Sequence, residues 1–124
     1  MNEDEKLIPD LIEWRQLNGE DFSIDDWTSN EGNIKLAIGY SFIFWPDFIE
    51  HDDCVFIKDN FSLNNFNNWT NAEYIRHFAQ IESVINHIHV IDFFSGDHNR
   101  NEITFAQIKF LGEKICKIYA VKLK

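Results

Sequence analysis

Two short stretches of this chain concentrate the side chains able to do chemistry. Residues 84–94 read VINHIHVIDFF, which sets Asn86, His87, His89 and Asp92 in a run otherwise made of Val, Ile and Phe. Imidazoles and carboxylates in apolar surroundings can ligate a metal, move a proton or hydrogen-bond a neighbouring element. Residues 50–54 read EHDDC, three acids, an imidazole and a thiol in five positions.

Backbone periodicity decides which of these groups can act together. The spacing of Phe78, Ile81, Val84, Ile85, Ile88 and Ile91 predicts a central helix over 76–94 with one apolar sector. On that helix Glu82, Asn86 and His89 form a polar stripe at the sector's edge, with Asp92 beside His89. A His-x-His pair on a helix splays its rings about 200° apart, so His87 and His89 are not expected to share an ion. No His-Glu-x-x-His pattern is present. Glu82, Asn86, His89 and Asp92 are therefore expected to form a hydrogen-bond network holding helices together. A partner-facing patch, or a hydrolytic or metal-dependent centre on Glu82, His89 and Asp92, is the alternative. Glu50, Asp52 and Asp53 are read as an acidic turn presented to a partner rather than as metal ligands. No catalytic residue, metal site or cofactor is assigned.

The elements that must position these groups are mostly helical. Leu7, Ile8, Leu11, Ile12 and Leu17 recur at helical spacing, with Pro9 in a first turn and Asn18-Gly19 as the stop. Ser23 is a candidate N-cap for a short turn to Trp27. Residues 33–44, NIKLAIGYSFIF, fit a strand or a helix. Helix is favoured, with Leu36, Ala37, Tyr40 and Phe44 on one face and Pro46 as the stop. Residues 48–58 predict a hairpin turning at Asp52 and Asp53, and Ser62 caps a helix carrying Leu63, Phe66 and Trp69. After a loop over 95–102 comes a long helix to the last residue, with Phe105, Ile108, Leu111, Ile115, Ile118 and Tyr119 on its inner face. The predicted fold is mostly α with a small β-hairpin, a compact helical bundle forming one globular domain over residues 1–124.

Charge and composition narrow the function classes. With 124 residues, 44% hydrophobic and 15% aromatic, the chain has the material for one core. The net charge of −10 is concentrated at the start, where residues 1–32 hold ten acids against two bases. That balance disfavours direct nucleic-acid binding, which relies on releasing counterions from phosphates, and favours a basic protein partner. Trp14, Glu20, Asp21, Asp25, Asp26 and Trp27 combine aromatic anchors with steering carboxylates and are candidate partner-binding residues. No stretch is long and apolar enough for a membrane span or a signal peptide, and Cys54 and Cys116 lack metal-ligand spacing. A cytoplasmic protein with reduced thiols is expected, its oligomeric state open. Phosphate-binding loops, nucleophile elbows and Cys-x-x-Cys motifs are absent from the sequence.

The segments FWPDFIEHDDCVFIKDNF and IESVINHIHVIDFF are similar to small bacterial domains of unknown function that carry a Pro-acidic-Phe hairpin and an Asn-His-x-His-x-x-Asp helix. The resemblance covers residues 34–94 and part of the last helix, and it implies no catalytic residues. By class, a short, acidic, aromatic-rich chain without an active-site signature also resembles immunity proteins that neutralise bacterial toxins. That resemblance implies a non-catalytic domain blocking a basic, nuclease-type toxin. A structural or regulatory subunit is a further alternative.

Overall fold

The computed structural model describes residues 2–71, 78–97 and 100–123. Among them are six α-helices and one two-stranded antiparallel sheet: α1 (Pro9–Asn18), α2 (Ile24–Glu31), α3 (Ile34–Phe44), β1 (Phe48–His51), β2 (Cys54–Ile57), α4 (Leu63–Thr70), α5 (Phe78–Ile85) and α6 (Phe105–Lys122). Mostly α with a small hairpin is therefore the fold class.

Local chemistry sets most element boundaries. A 3-10 helix over Glu3–Leu7 precedes α1, Pro9 occupies the first turn of α1, and Gly19 follows its end at φ 100°, where a side chain would be strained. Ser23 and Asp26 form a reciprocal capping box at α2, and Thr104 with Gln107 does the same at α6. The Asn33 side chain accepts from the Lys35 and Leu36 amides, and Ser62 accepts from Asn65. In the hairpin Asp52 and Asp53 take φ of 49° and 64°, the left-handed pair of a two-residue turn, which pairs His51 with Cys54 and Phe48 with Ile57.

Strand alternation puts Ile49, His51, Cys54 and Phe56 on one face of the hairpin. That face covers α4 and α5. Cys54, Phe56, Phe66 and Ile85 are buried together, with Ile49, Phe61 and Trp69 packed around them. The aromatic rings meet at tilted or edge-on angles: Phe56 lies 4.9 Å from Phe61 and 5.9 Å from Phe66, and the His51 ring stands edge-on to Phe66 at 4.6 Å.

Helix α6 fastens the remainder. Near its start the Gln107 side-chain amide donates to the Leu7 carbonyl at 2.8 Å. Near its end the Tyr119 hydroxyl donates to the Ile43 carbonyl at 2.6 Å, and the Lys122 ammonium donates to the Pro46 carbonyl while lying over the Trp45 ring. Arg15 ties the amino-terminal segment to itself, donating to the Phe22 carbonyl and to the Glu5 carboxylate at 3.0 Å.

The structure departs from the expected elements in four places. Helix α5 ends at Ile85 instead of running to residue 94. Residues 87–89 then leave the helix, His89 being extended at φ −109° and ψ 117°, and a 3-10 helix follows over Val90–Phe94. Leu17 and Phe105, read as inward-facing, are each 79% exposed. Leu36 is also exposed, leaving Tyr40, Ile43 and Phe44 as the half-buried face of α3. The start expected at 76 for the central helix, and part of the loop expected at 95–102, lie outside the described residues.

Candidate functional site

The polar stripe of α5 is built against the outer edge of β2. Pairing with β1 consumes the main-chain groups of Cys54 and Phe56, so those of Val55 and Ile57 point away from β1. The Asn86 Oδ1 accepts from the Ile57 amide at 2.9 Å, and its Nδ2 donates to the Val55 carbonyl at 2.8 Å. The Glu82 Oε2 accepts from the Val55 amide at 2.7 Å. One carboxamide and one carboxylate thus do what a third strand would do. Both side chains are half-buried, so the bonds replace water that the edge has lost.

This arrangement separates the residues that helical geometry had joined. Glu82 and Asn86 are the expected hydrogen-bond network, though their partner is the hairpin backbone. His89 and Asp92 do not belong to it. The Asp92 amide donates to the His89 carbonyl in a tight turn, and the Asp92 side chain is exposed. Because residues 87–89 have left the helix and His89 is extended, His87 and His89 project to the same side, with their Nε2 atoms 3.1 Å apart and their ring planes at 84°. The expectation that the two rings point apart is overturned by this loss of helix. Among the described residues no hydrogen bond joins the side chains of Glu82, His89 and Asp92.

The EHDDC stretch is likewise divided by the pleat. His51 and Cys54 face the aromatic core, Glu50 lies on the other face, and the two aspartates form the turn. Asp52 approaches the His51 imidazole at 3.5 Å. Burial, reinforced by the carboxylates of Glu82, Asp52 and Asp53, pushes the Cys54 thiol pKa up, so it is held protonated and a poor nucleophile. Cys116 is exposed, where a reduced core thiol was expected, and neither cysteine is in a disulfide.

The amino-terminal candidates behave unequally. Glu20, Asp21 and Asp25 are exposed and pair with no cation among the described residues, whereas the Asp26 carboxylate is engaged by the Ser23 amide and hydroxyl. Trp14 is half-buried and packs on Phe22 at 5.9 Å. Trp27 is half-buried too, and its indole Nε1 is fully enclosed without a hydrogen-bond partner among the described residues, so that donor is out of a partner's reach.

Helix α3 supplies surface that the sequence did not flag. Ile34, Ile38 and Phe42 recur every four residues and continue into Trp45, a single stripe. All four are more than half exposed, Ile34 at 76% and Phe42 at 71%. The opposite face, Tyr40, Ile43 and Phe44, is the one turned inward, with Tyr40 stacked on Phe94 at 5.8 Å. A helix apolar all round is normally covered on both sides. The sequence signal was there in the scarcity of polar residues over 34–44, where Lys35 and Ser41 interrupt an otherwise apolar run, but the reading picked out only the face of Leu36, Ala37, Tyr40 and Phe44.

A cleft of about 510 Å³ lies between the amino-terminal segment and α6, lined by Leu7, Ile24, Phe94, Ile108 and Leu111 with Asp4 and Lys114. Among the described residues no histidine or cysteine lines it. Among the described residues no group of three or more His, Cys, Asp or Glu side chains is arranged to hold a metal ion, and no helix is long and apolar enough to cross a membrane. No family model, curated protein or solved structure matches the chain.

Proposed function

We propose that this is a non-catalytic protein-binding domain that captures a basic protein in the cytoplasm, a nuclease-type bacterial toxin being the partner class. The observation that carries the reading is the exposed apolar stripe of α3, Ile34, Ile38, Phe42 and Trp45, set directly after acidic α2. Only Gly32 and Asn33 separate the two helices, and the exposed carboxylate of Glu31 stands three positions before Ile34 along the chain, with exposed Asp25 further back on α2. An apolar centre with a charged rim is the anatomy of protein interfaces, and an acidic rim selects a basic partner. A seat of about 800 Å² on each partner is the normal size for such a complex. Glu20 and Asp21 extend the acidic margin, and the turn carboxylates Glu50, Asp52 and Asp53 offer a second acidic point.

The test takes basic nuclease-type toxin domains as ligands, beginning with any that proves to be encoded beside this gene, with affinity and rates measured over a salt series. Ile38→Ser/Phe42→Ser should raise the dissociation rate at least tenfold, while Asp25→Asn/Glu31→Gln should slow association and flatten its salt dependence. Absence of binding, or wild-type rates in both double variants, would sink the reading.

A further inference from the structure

The non-helical segment 87–89 brings two imidazole nitrogens into a geometry that a helix would forbid. We propose that His87 and His89 form a bidentate chelate for a divalent first-row transition-metal ion through their Nε2 atoms, with water filling the remaining positions.

The distance carries the argument. Ligands held about 2.0–2.1 Å from a metal sit about 2.9 Å apart at a right angle and about 3.3 Å apart at a tetrahedral angle. The 3.1 Å between the two Nε2 atoms lies between these limits. The rings are nearly perpendicular, at 84°, so they meet edge to face rather than stacked, and both side chains are exposed to the solvent that must complete the coordination sphere. Two imidazoles with water suit copper, nickel or zinc, with Cu²⁺ the tightest of the series.

Without a metal, one N–H lies between the two nitrogens, so one ring carries its proton on Nε2 and the other offers a lone pair. Coordination by both requires that proton to appear on Nδ1 of its own ring. Exchange with water achieves this with no net change in charge or proton count. Chelation would also stiffen the connection between Asn86, fastened to β2, and the 3-10 helix over Val90–Phe94, which packs on α6 through Val90 beside Gly112.

The experiment titrates the intact chain with Cu²⁺ alone, followed by the nitrogen hyperfine structure of its electron paramagnetic resonance spectrum, and with Zn²⁺ alone, followed by the imidazole resonances. The expected result is one equivalent of Cu²⁺ bound by two imidazole nitrogens, weakened at least tenfold by His87→Gln and equally by His89→Gln. His98→Gln should bind as wild type. Because both rings are exposed, circular dichroism of the two variants should match the parent. Wild-type affinity in either His87→Gln or His89→Gln, or a spectrum showing a single imidazole, would overturn the proposal.

Discussion

Asn86 completes the edge of β2 at Ile57: its Oδ1 takes the Ile57 amide at 2.9 Å in the position a neighbouring strand's carbonyl would occupy. The same side chain returns a hydrogen bond to Val55, and Glu82 accepts the remaining amide. Asn86→Ala leaves the Ile57 amide and the Val55 carbonyl unpaired, and a drop in stability of about 2–4 kcal/mol is expected from two such losses. Asn86→Asp should recover only part, since a carboxylate accepts from Ile57 but faces the Val55 carbonyl with no donor. Chemical denaturation reads the loss, and faster amide exchange at Ile57 assigns it to the edge.

The hairpin turn stores removable strain. Asp52 and Asp53 both occupy positive φ, where Asn followed by Gly is favoured. Asp52→Asn/Asp53→Gly should raise stability by about 0.5–1 kcal/mol, visible as a shift of the denaturation midpoint. The same double change removes two acidic charges, so a partner that uses this turn should bind less well to a better-folded protein. Stability and affinity would then move in opposite directions.

The two thiols should separate cleanly in reactivity. Iodoacetamide is expected to label Cys116 and spare buried Cys54 under native conditions, with both labelled in denaturant, as peptide mass spectrometry would show. The raised Cys54 pKa also has a thermodynamic sign. The folded state keeps its proton where the unfolded thiol has lost it, so this contribution is fully present below the ordinary thiol pKa and fades as pH rises through the higher folded value. Tyr119, raised by burial and then by Cys116, adds a loss of the same sign at higher pH. A Cys54→Ala variant should show a shallower fall of stability from about pH 8.5 upward, below a baseline lowered by the cavity.

Trp27 encloses a donor that bonds nothing among the described residues, so Trp27→Phe should cost little, the removed N–H offsetting the smaller ring. A change in stability within about 1 kcal/mol is expected by thermal denaturation. A loss of several kcal/mol would mean that the indole nitrogen is bonded in solution.

What could be read from the sequence was what is decided locally. Pro9, Ser23, Ser62 and the Asp52-Asp53 turn act on neighbours within a few positions, and the elements they bound were placed accordingly. The end of α5 was not legible, because it depends on Asn86 reaching main-chain groups 29 and 31 residues earlier. Ile88, Val90 and Ile91 kept a helical spacing beyond Ile85, yet β-branched residues are weak helix formers and gave the chain little reason to continue. His89 was consequently singled out for the wrong neighbours. Pattern alone also could not distinguish a helix buried on both sides from α3, whose outer stripe is exposed.

The bonds made by α6 bear on the order in which the molecule can assemble. Gln107 reaches Leu7 across 100 positions, and Tyr119 and Lys122 reach Ile43 and Pro46 across 76. The hairpin, α4 and α5 draw their contacts from a shorter span and can close while synthesis continues. The acidic leading segment and α3 gain these bonds only once residues 107–122 have left the ribosome; until then α3 has contacts such as Tyr40 against Phe94, and its hydrophobic stripe and part of its reverse side are open to chaperones or to premature association.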